Sequence, residues 1–443
     1  MKIVYCVMIA WSVISCSQTP VVNDQNYEIY PGGDGYVVRG AIDLKTLHTS
    51  NQATEAIQWA VNKLGEGGEV FLHKGKYLLT AEIELNSNVT LRGSGTGSQL
   101  IIQGDHATGN ALIIKDKNNA SVVDLAIKSI KDNNKSNTAI TVDNSGNCTI
   151  DGVTIVGMKQ DGILFTNNTF ISTITNCRIA GCEGNAIKLH KLARGGRGGD
   201  FVTNNVESSS IYLGGYGVYC DNALDLNIRD ITTYQTKMPG YFVGNHSNST
   251  LVSSCRSFQT QNDAIVVDHS HEINISSCIF SWSEGNGLVL NEVRWGTITG
   301  NNFIDNGSIN PFERDVDSLV VQGSRPFRRM PRTPEDRNSV KSGVVMSNNT
   351  KGVTVTGNAI FNWPAAPMMQ YGIVEDATCM NNVISSNNVN HYKNSNVSSN
   401  GKGTQVQGNF GYGEKPYEGS IGIVELQYFD LRLMEIFVED MWK

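Results

Sequence analysis

Through most of the chain, apolar residues alternate with polar ones in runs of about five, and each run ends in a turn rich in Gly, Asn or Ser. Side chains of an extended strand point alternately to two faces, so these runs predict short strands with one face buried. The unit recurs. Aligning the end of the second strand in each unit picks out Val153, Cys177, Asn205, Ile231, Cys255, Cys278 and Asn301, at spacings of 24, 28, 26, 24, 23 and 23; the series resumes at Asn358 and Asn387. A unit of this size cannot bury its apolar face alone and must stack on its neighbours. The body is therefore expected to be an all-β solenoid, a parallel β-helix.

A second series marks one exposed face. Strands opening at Gly162, Ala186, Gly217, Gly240, Ala264, Gly287, Gly343 and Gly372 send their next and third-next residues inward, and the residues between and after them outward. The last outward positions are Thr166, His190, Asp221, Gly244, Asp268, Asn291, Ser347 and Asp376, a polar row that reads as the floor of a groove. Two insertions interrupt the repeat beside it. One carries Arg194 and Arg197 among glycines; the other, over 306–341, carries Arg325, Arg328, Arg329 and Arg332. Solenoid insertions often form binding walls, and guanidinium groups grip carboxylates and sulfates through paired hydrogen bonds.

Helical spacing appears before the repeat. Ala56, Ile57, Ala60, Val61 and Leu64 fall on one face of a helix that stops at the glycine-rich stretch 65–68, placed to cap the open end of the solenoid. This helix, the following GGEVFLHKGKY and the later NVTLRGSGTGS resemble the N-terminal part of pectate-lyase-like, rhamnogalacturonase-type proteins. That resemblance implies a right-handed parallel β-helix. It implies no single chemistry, since the module fronts lyases, hydrolases and phage tailspikes alike. The Asp-rich segment that often precedes the helix in that family is missing here. At the other end, Leu426, Phe429, Leu433, Ile436 and Phe437 suggest a second capping helix.

The first sixteen residues form a short apolar run ending in Val13-Ile14-Ser15-Cys16, the pattern of a bacterial lipoprotein signal with Cys16 as the acylated residue. The expected organisation is a signal (1–16), a linker with first strands (17–50), the β-helix (51–410) and a tail (411–443). The location is then extracytoplasmic, periplasmic or on the outer membrane, with membrane contact through the lipid. A net charge of -7 argues against general nucleic-acid binding. The seven later cysteines are odd in number, and three share one repeat position; buried stacking explains them better than disulfides.

Candidate chemistry gathers on the polar row. Asp221 and Asp268 lie two coils apart with Gly244 between them, which sets their backbones about 9 to 10 Å apart at the usual strand spacing. Inverting glycosidases hold two carboxyl groups about 6.5 to 9.5 Å apart, and the glycine leaves room for a sugar. Lys188, His190 and Tyr219 precede this pair, while His269, His271, Glu292 and Arg294 follow it. A further carboxylate, Asp263, comes from resemblance: Gln261-Asn262-Asp263-Ala264-Ile265 is similar to the Asp-Asp-Cys segment of polygalacturonase-type hydrolases, with Asn262 replacing the first Asp. Ser283-Glu284-Gly285-Asn286-Gly287 is similar to their Gly-His-Gly segment, but lacks the His.

The expected partner is a polysaccharide, acidic in view of the arginines, and the carboxylate pair points first to a hydrolase. The alternative is a lyase. There Lys188 or His190 would take the proton next to a uronate carboxylate, Arg294 would neutralise charge, and Asp221 with Asp268 would hold calcium. A third class is a non-catalytic glycan binder that stacks sugars on Tyr219 and Phe242.

Overall fold

A computed structural model describes residues 26–33, 35–65, 67–102, 109–129, 137–192, 203–307, 341–362 and 369–411. Cys16, Arg194, Arg197, Arg328, Arg329 and the proposed C-terminal helix lie outside the described residues. Each coil contributes one strand to each of three sheets, which hold sixteen, twelve and twelve strands among the described residues. Pairing between coils is parallel throughout. Inward-facing Ile, Val and Leu form one apolar column along the axis, with Tyr77, Tyr241, Phe165, Phe280 and Phe303 as its largest buried side chains.

The corners explain the composition. Between the first and second sheets the chain turns through a single residue with positive φ: Asn176 (52°), Ser208 (50°), Asp230 (53°), Ser254 (54°), Ser277 (57°) and Gly300 (65°). An L-residue pays for that conformation unless it is Gly or a short polar residue that can bond locally. Hence the excess of Gly, Asn, Asp and Ser.

At the N-terminal end the helix Ala53–Lys63 buries Ala56, Ile57, Ala60 and Val61. It is joined by an antiparallel meander, Tyr27–Gly32, Gly35–Gly40 and Thr46–Ser50, whose first strand also pairs with Gly68–Leu72. The first strands expected before residue 51 are thus part of the cap.

One repeat assignment needs correction. Asn205 pairs with Thr173 inside the first sheet. The residue stacked on Cys177 is Ser209, whose Oγ accepts from the Cys177 amide at 3.0 Å. The extra chain after Leu192 lengthens this coil, so an even spacing stops four residues short. From Asn301 onward the interior column turns polar: Asn301, Asn358, Asn387 and Asn409 are joined side chain to side chain and to the backbone. All seven described cysteines are buried and unpaired. Burial pushes the Cys177 and Cys182 thiols up to about 12, which makes them inert packing groups.

Candidate functional site

The third sheet carries the groove. Its register aligns Thr166, His190, Asp221 and Gly244 in one outward row, and Leu164, Lys188, Tyr219 and Phe242 in another. The amide of Asn245 donates to the Asp268 carbonyl, and Asp268 pairs with Asn291, so the first row continues through both. The alternation expected from the sequence therefore holds along the whole face. The two long insertions attach on opposite sides of it. Residues 193–202 leave the third sheet towards the first, and 308–340 enter it from the second.

Four of the expected residues converge on two neighbouring strands, Asn185–Leu192 and Tyr216–Ala223. His190 Nδ1 lies 2.9 Å from Asp221 Oδ2, and the other Asp221 oxygen accepts from Asn245 Nδ2 at 2.9 Å. A carboxylate only accepts, so Nδ1 carries the proton and Nε2 is left to exchange one with a ligand. Lys188 Nζ is 4.0 Å from Asp161 and 5.9 Å from the centre of the Tyr219 ring. Burial, and then the Asp221 charge, raise the Tyr219 pKa and keep the phenol protonated. The cluster thus sets a proton acceptor and a proton donor side by side.

A second cluster follows two coils on. His269 contacts carboxylates through both ring nitrogens, Nδ1 to Asp268 at 2.8 Å and Nε2 to Glu292 at 3.1 Å, and Glu292 reaches Arg294 at 3.5 Å. Asn291 donates to Asp268 as well. The residue after each polar-row position has positive φ. At Asn144, Asn167, Asn222, Asn245 and Asn348 the residue suits the geometry, whereas Lys191 (54°), His269 (47°) and Glu292 (52°) hold it without that help. Strained residues of this kind gather where side chains are needed for a task, and here they fall beside the two clusters.

Two expectations change. Gly244 leaves no open notch, because a Cβ there would collide with Cε1 and Cζ of Phe242. The Phe242 ring lies in that space and stacks on Tyr219, with centres 4.9 Å apart and planes at 9°. Asp263 stands at the far end of its strand, five residues before Asp268 and so about 16 Å away along an extended chain. Its Oδ1 accepts from the Asn286 amide at 2.6 Å and from Asn286 Nδ2 at 2.9 Å. Asp161 treats Asn185 in the same way, which makes this a structural corner used twice.

Burial raises the Asp263 pKa against the lowering effect of the Asn286 bonds. A folded value above the unfolded one favours folding in acid; that advantage is lost as pH rises through the raised value. Asp263→Asn keeps an acceptor for Asn286. It is expected to match or exceed the parent in thermal stability at neutral pH, to lose that margin in acid, and to leave turnover unchanged. Melting curves at the two pH values and one activity assay check this. An inactive but stable Asp263→Asn would move the site to this corner.

Of the residues the sequence pointed to least, Asp161 and Asn245 matter most here. Each occupies a position defined only by the coil beside it. Among the described residues no three His, Cys, Asp or Glu side chains converge to hold a metal ion. Asp221 and Asp268 are instead committed to His, Asn and each coil's own neighbours.

A family model described as periplasmic copper-binding protein (NosD) matches residues 199–314, 116 of the 443 in the chain. Comparison with curated protein sequences finds no match. Among solved structures, the A-module of mannuronan C-5 epimerase AlgE6 from Azotobacter vinelandii is similar with a TM-score of 0.65 and 15% identity, over 81% of this chain and 95% of that one. The N-terminal fragment of bacteriophage Phi29 gene product 12 is similar at 0.61 and 11%, over 82% of this chain and 64% of that one. The periplasmic alginate epimerase AlgG is similar at 0.55 and 10%, over 76% and 78%. The fold is a right-handed parallel β-helix of the pectate-lyase-like kind.

Proposed function

We propose that this chain is an extracytoplasmic enzyme that acts on a uronate-containing polysaccharide laid across the third sheet, and that it starts by removing the proton at C5. The observation that carries this reading is the His190–Asp221 pair beside a protonated Tyr219 and the Lys188 cation. A proton next to a carboxylate is acidic once the carboxylate charge is offset, which is the part given to Lys188. His190 Nε2 takes the proton while Asp221 holds the ring. Tyr219 then supplies a proton, either to the opposite face of C5 or to the departing O4. The first outcome is epimerisation, the second β-elimination. Two structural relatives, AlgE6 and AlgG, are named as epimerases of mannuronan and alginate, which supports a uronate substrate.

The second reading is inverting hydrolysis by Asp221 and Asp268, favoured by their places two coils apart in one row. Pectic, alginate, glycosaminoglycan and algal glycans, incubated in deuterated water, separate the readings. Proton abstraction is expected to yield either solvent deuterium at C5 or an unsaturated, ultraviolet-absorbing product. New reducing ends with neither signal would replace it with hydrolysis. Binding without any change to the glycan would leave only the binder.

Location is part of the proposal. The NosD family and AlgG are both described as periplasmic, and among the described residues no helix is long and apolar enough to cross a membrane. Anchoring through Cys16 is checked by Cys16→Ser, which should move the protein out of the washed membrane fraction.

A further inference from the structure

The turn between strands Gly35–Gly40 and Thr46–Ser50 presents an apolar surface that the fold does not use. Ile42, Leu44 and Leu47 are 71%, 55% and 46% exposed, so three of the eight large exposed hydrophobics among the described residues fall within six positions. The turn itself is well made: Leu44 N–H donates to Gly40 at 3.0 Å and Gly40 N–H to Lys45 at 3.2 Å. Leu44 sits at φ 53°, where Gly or Asn would be relaxed and leucine is strained. A strained leucine pointing into water helps neither folding nor solubility.

We infer that this turn seats on a lipid bilayer, with Ile42, Leu44 and Leu47 entering the boundary between headgroups and acyl chains. The place of the N-terminal arm selects this occupant. Ala41 N–H donates to the Asn26 carbonyl at 2.9 Å, so the arm leaves the fold at the base of the turn. From Asn26 back to Cys16, the expected acylation site, is ten residues, which span at most about 35 Å. A lipid on Cys16 would therefore keep the turn within reach of the membrane surface. Lys45, exposed and 3.5 Å from Asp43, lies between the leucines where an anionic headgroup could replace that partner. One acyl chain alone binds reversibly, and a second contact both strengthens attachment and orients the body.

The test uses the full chain carrying Cys16→Ser, so that the turn acts without the lipid. At the dilute lipid of a cell fractionation three side chains do not retain the protein; at millimolar lipid they should. Cosedimentation with vesicles of phosphatidylethanolamine and a minority of phosphatidylglycerol is expected to show partitioning that persists in high salt. The combined Ile42→Ser, Leu44→Ser and Leu47→Ser substitutions should lower it by about tenfold or more. Leu44→Gly supplies an independent arm: it relaxes the turn, so melting temperature should hold or rise while partitioning falls. Equal partitioning of parent and triple variant would overturn the inference. So would binding abolished by salt, which would make the contact purely electrostatic. If the parent self-associates without lipid and the triple variant is monomeric, the face joins two copies of the chain instead.

Discussion

His190→Gln is expected to lower turnover by about two to four orders of magnitude, the usual contribution of a positioned proton-transfer group. That corresponds to roughly 3 to 5 kcal/mol in the barrier. Stability should change little, because the imidazole is partly exposed and sits on the outer face of the sheet. Asp221→Asn removes the acceptor that fixes the Nδ1 proton. Combining it with His190→Gln should add almost nothing, since two groups that act as a unit do not contribute additively. Initial rates on the responsive glycan, with melting curves for each variant, supply the readout. Should His190→Gln turn over normally while Asp221→Asn and Asp268→Asn both fail, the two carboxylates do the chemistry and the hydrolytic reading takes over.

The largest stability effect is expected inside the solenoid, at Asn358→Ala. The Asn358 side chain accepts from the Asn301 amide and from Asn301 Nδ2, both at 3.0 Å, and donates to the Ile298 carbonyl at 3.0 Å and to Asn387 Oδ1 at 2.9 Å. It is almost completely buried. Truncation leaves the Asn301 amide and the Ile298 carbonyl unpaired where water does not reach, each at about 1 to 3 kcal/mol, and adds a small cavity. A loss of about 3 to 5 kcal/mol is the expected sum. Because each coil contacts only its neighbours, faster hydrogen exchange should appear first in the coils from Asn301 onward. Cys278→Ala removes an equivalent inward group held through weaker thiol bonds, and should cost clearly less. An Asn358→Ala variant as stable as Cys278→Ala would show that the ladder is no more than filler.

These two experiments probe opposite sides of the same wall, and the sequence informs them unequally. Period-two alternation places Thr166, His190, Asp221, Gly244, Asp268 and Asn291 on one outward row, and the register agrees. The cause is local. A slip of one residue would turn every Ile and Val of a coil into water, so the burial pattern alone holds the register. The capping helix is legible for the same reason, and so are the stacked cysteines. Asn205 marks the limit: where an insertion alters the length of a coil, the spacing no longer reports the stacking, and only the bond from Cys177 to Ser209 does.

What the sequence by itself determined is which residues face inward and which face out, because that depends on residues two positions apart. Tertiary structure decided which outward residues touch. His190 meets Asp221 across 31 positions, and Asp263 meets Asn286 across 23. Phe242 lies down over Gly244, Leu44 strains outward at a turn, and neither is visible in a pattern of apolar and polar positions. An exposed side chain chooses its rotamer against the coils above and below it. Those neighbours are a full coil away in the chain, so the contacts that would do the chemistry exist only once the coils are stacked.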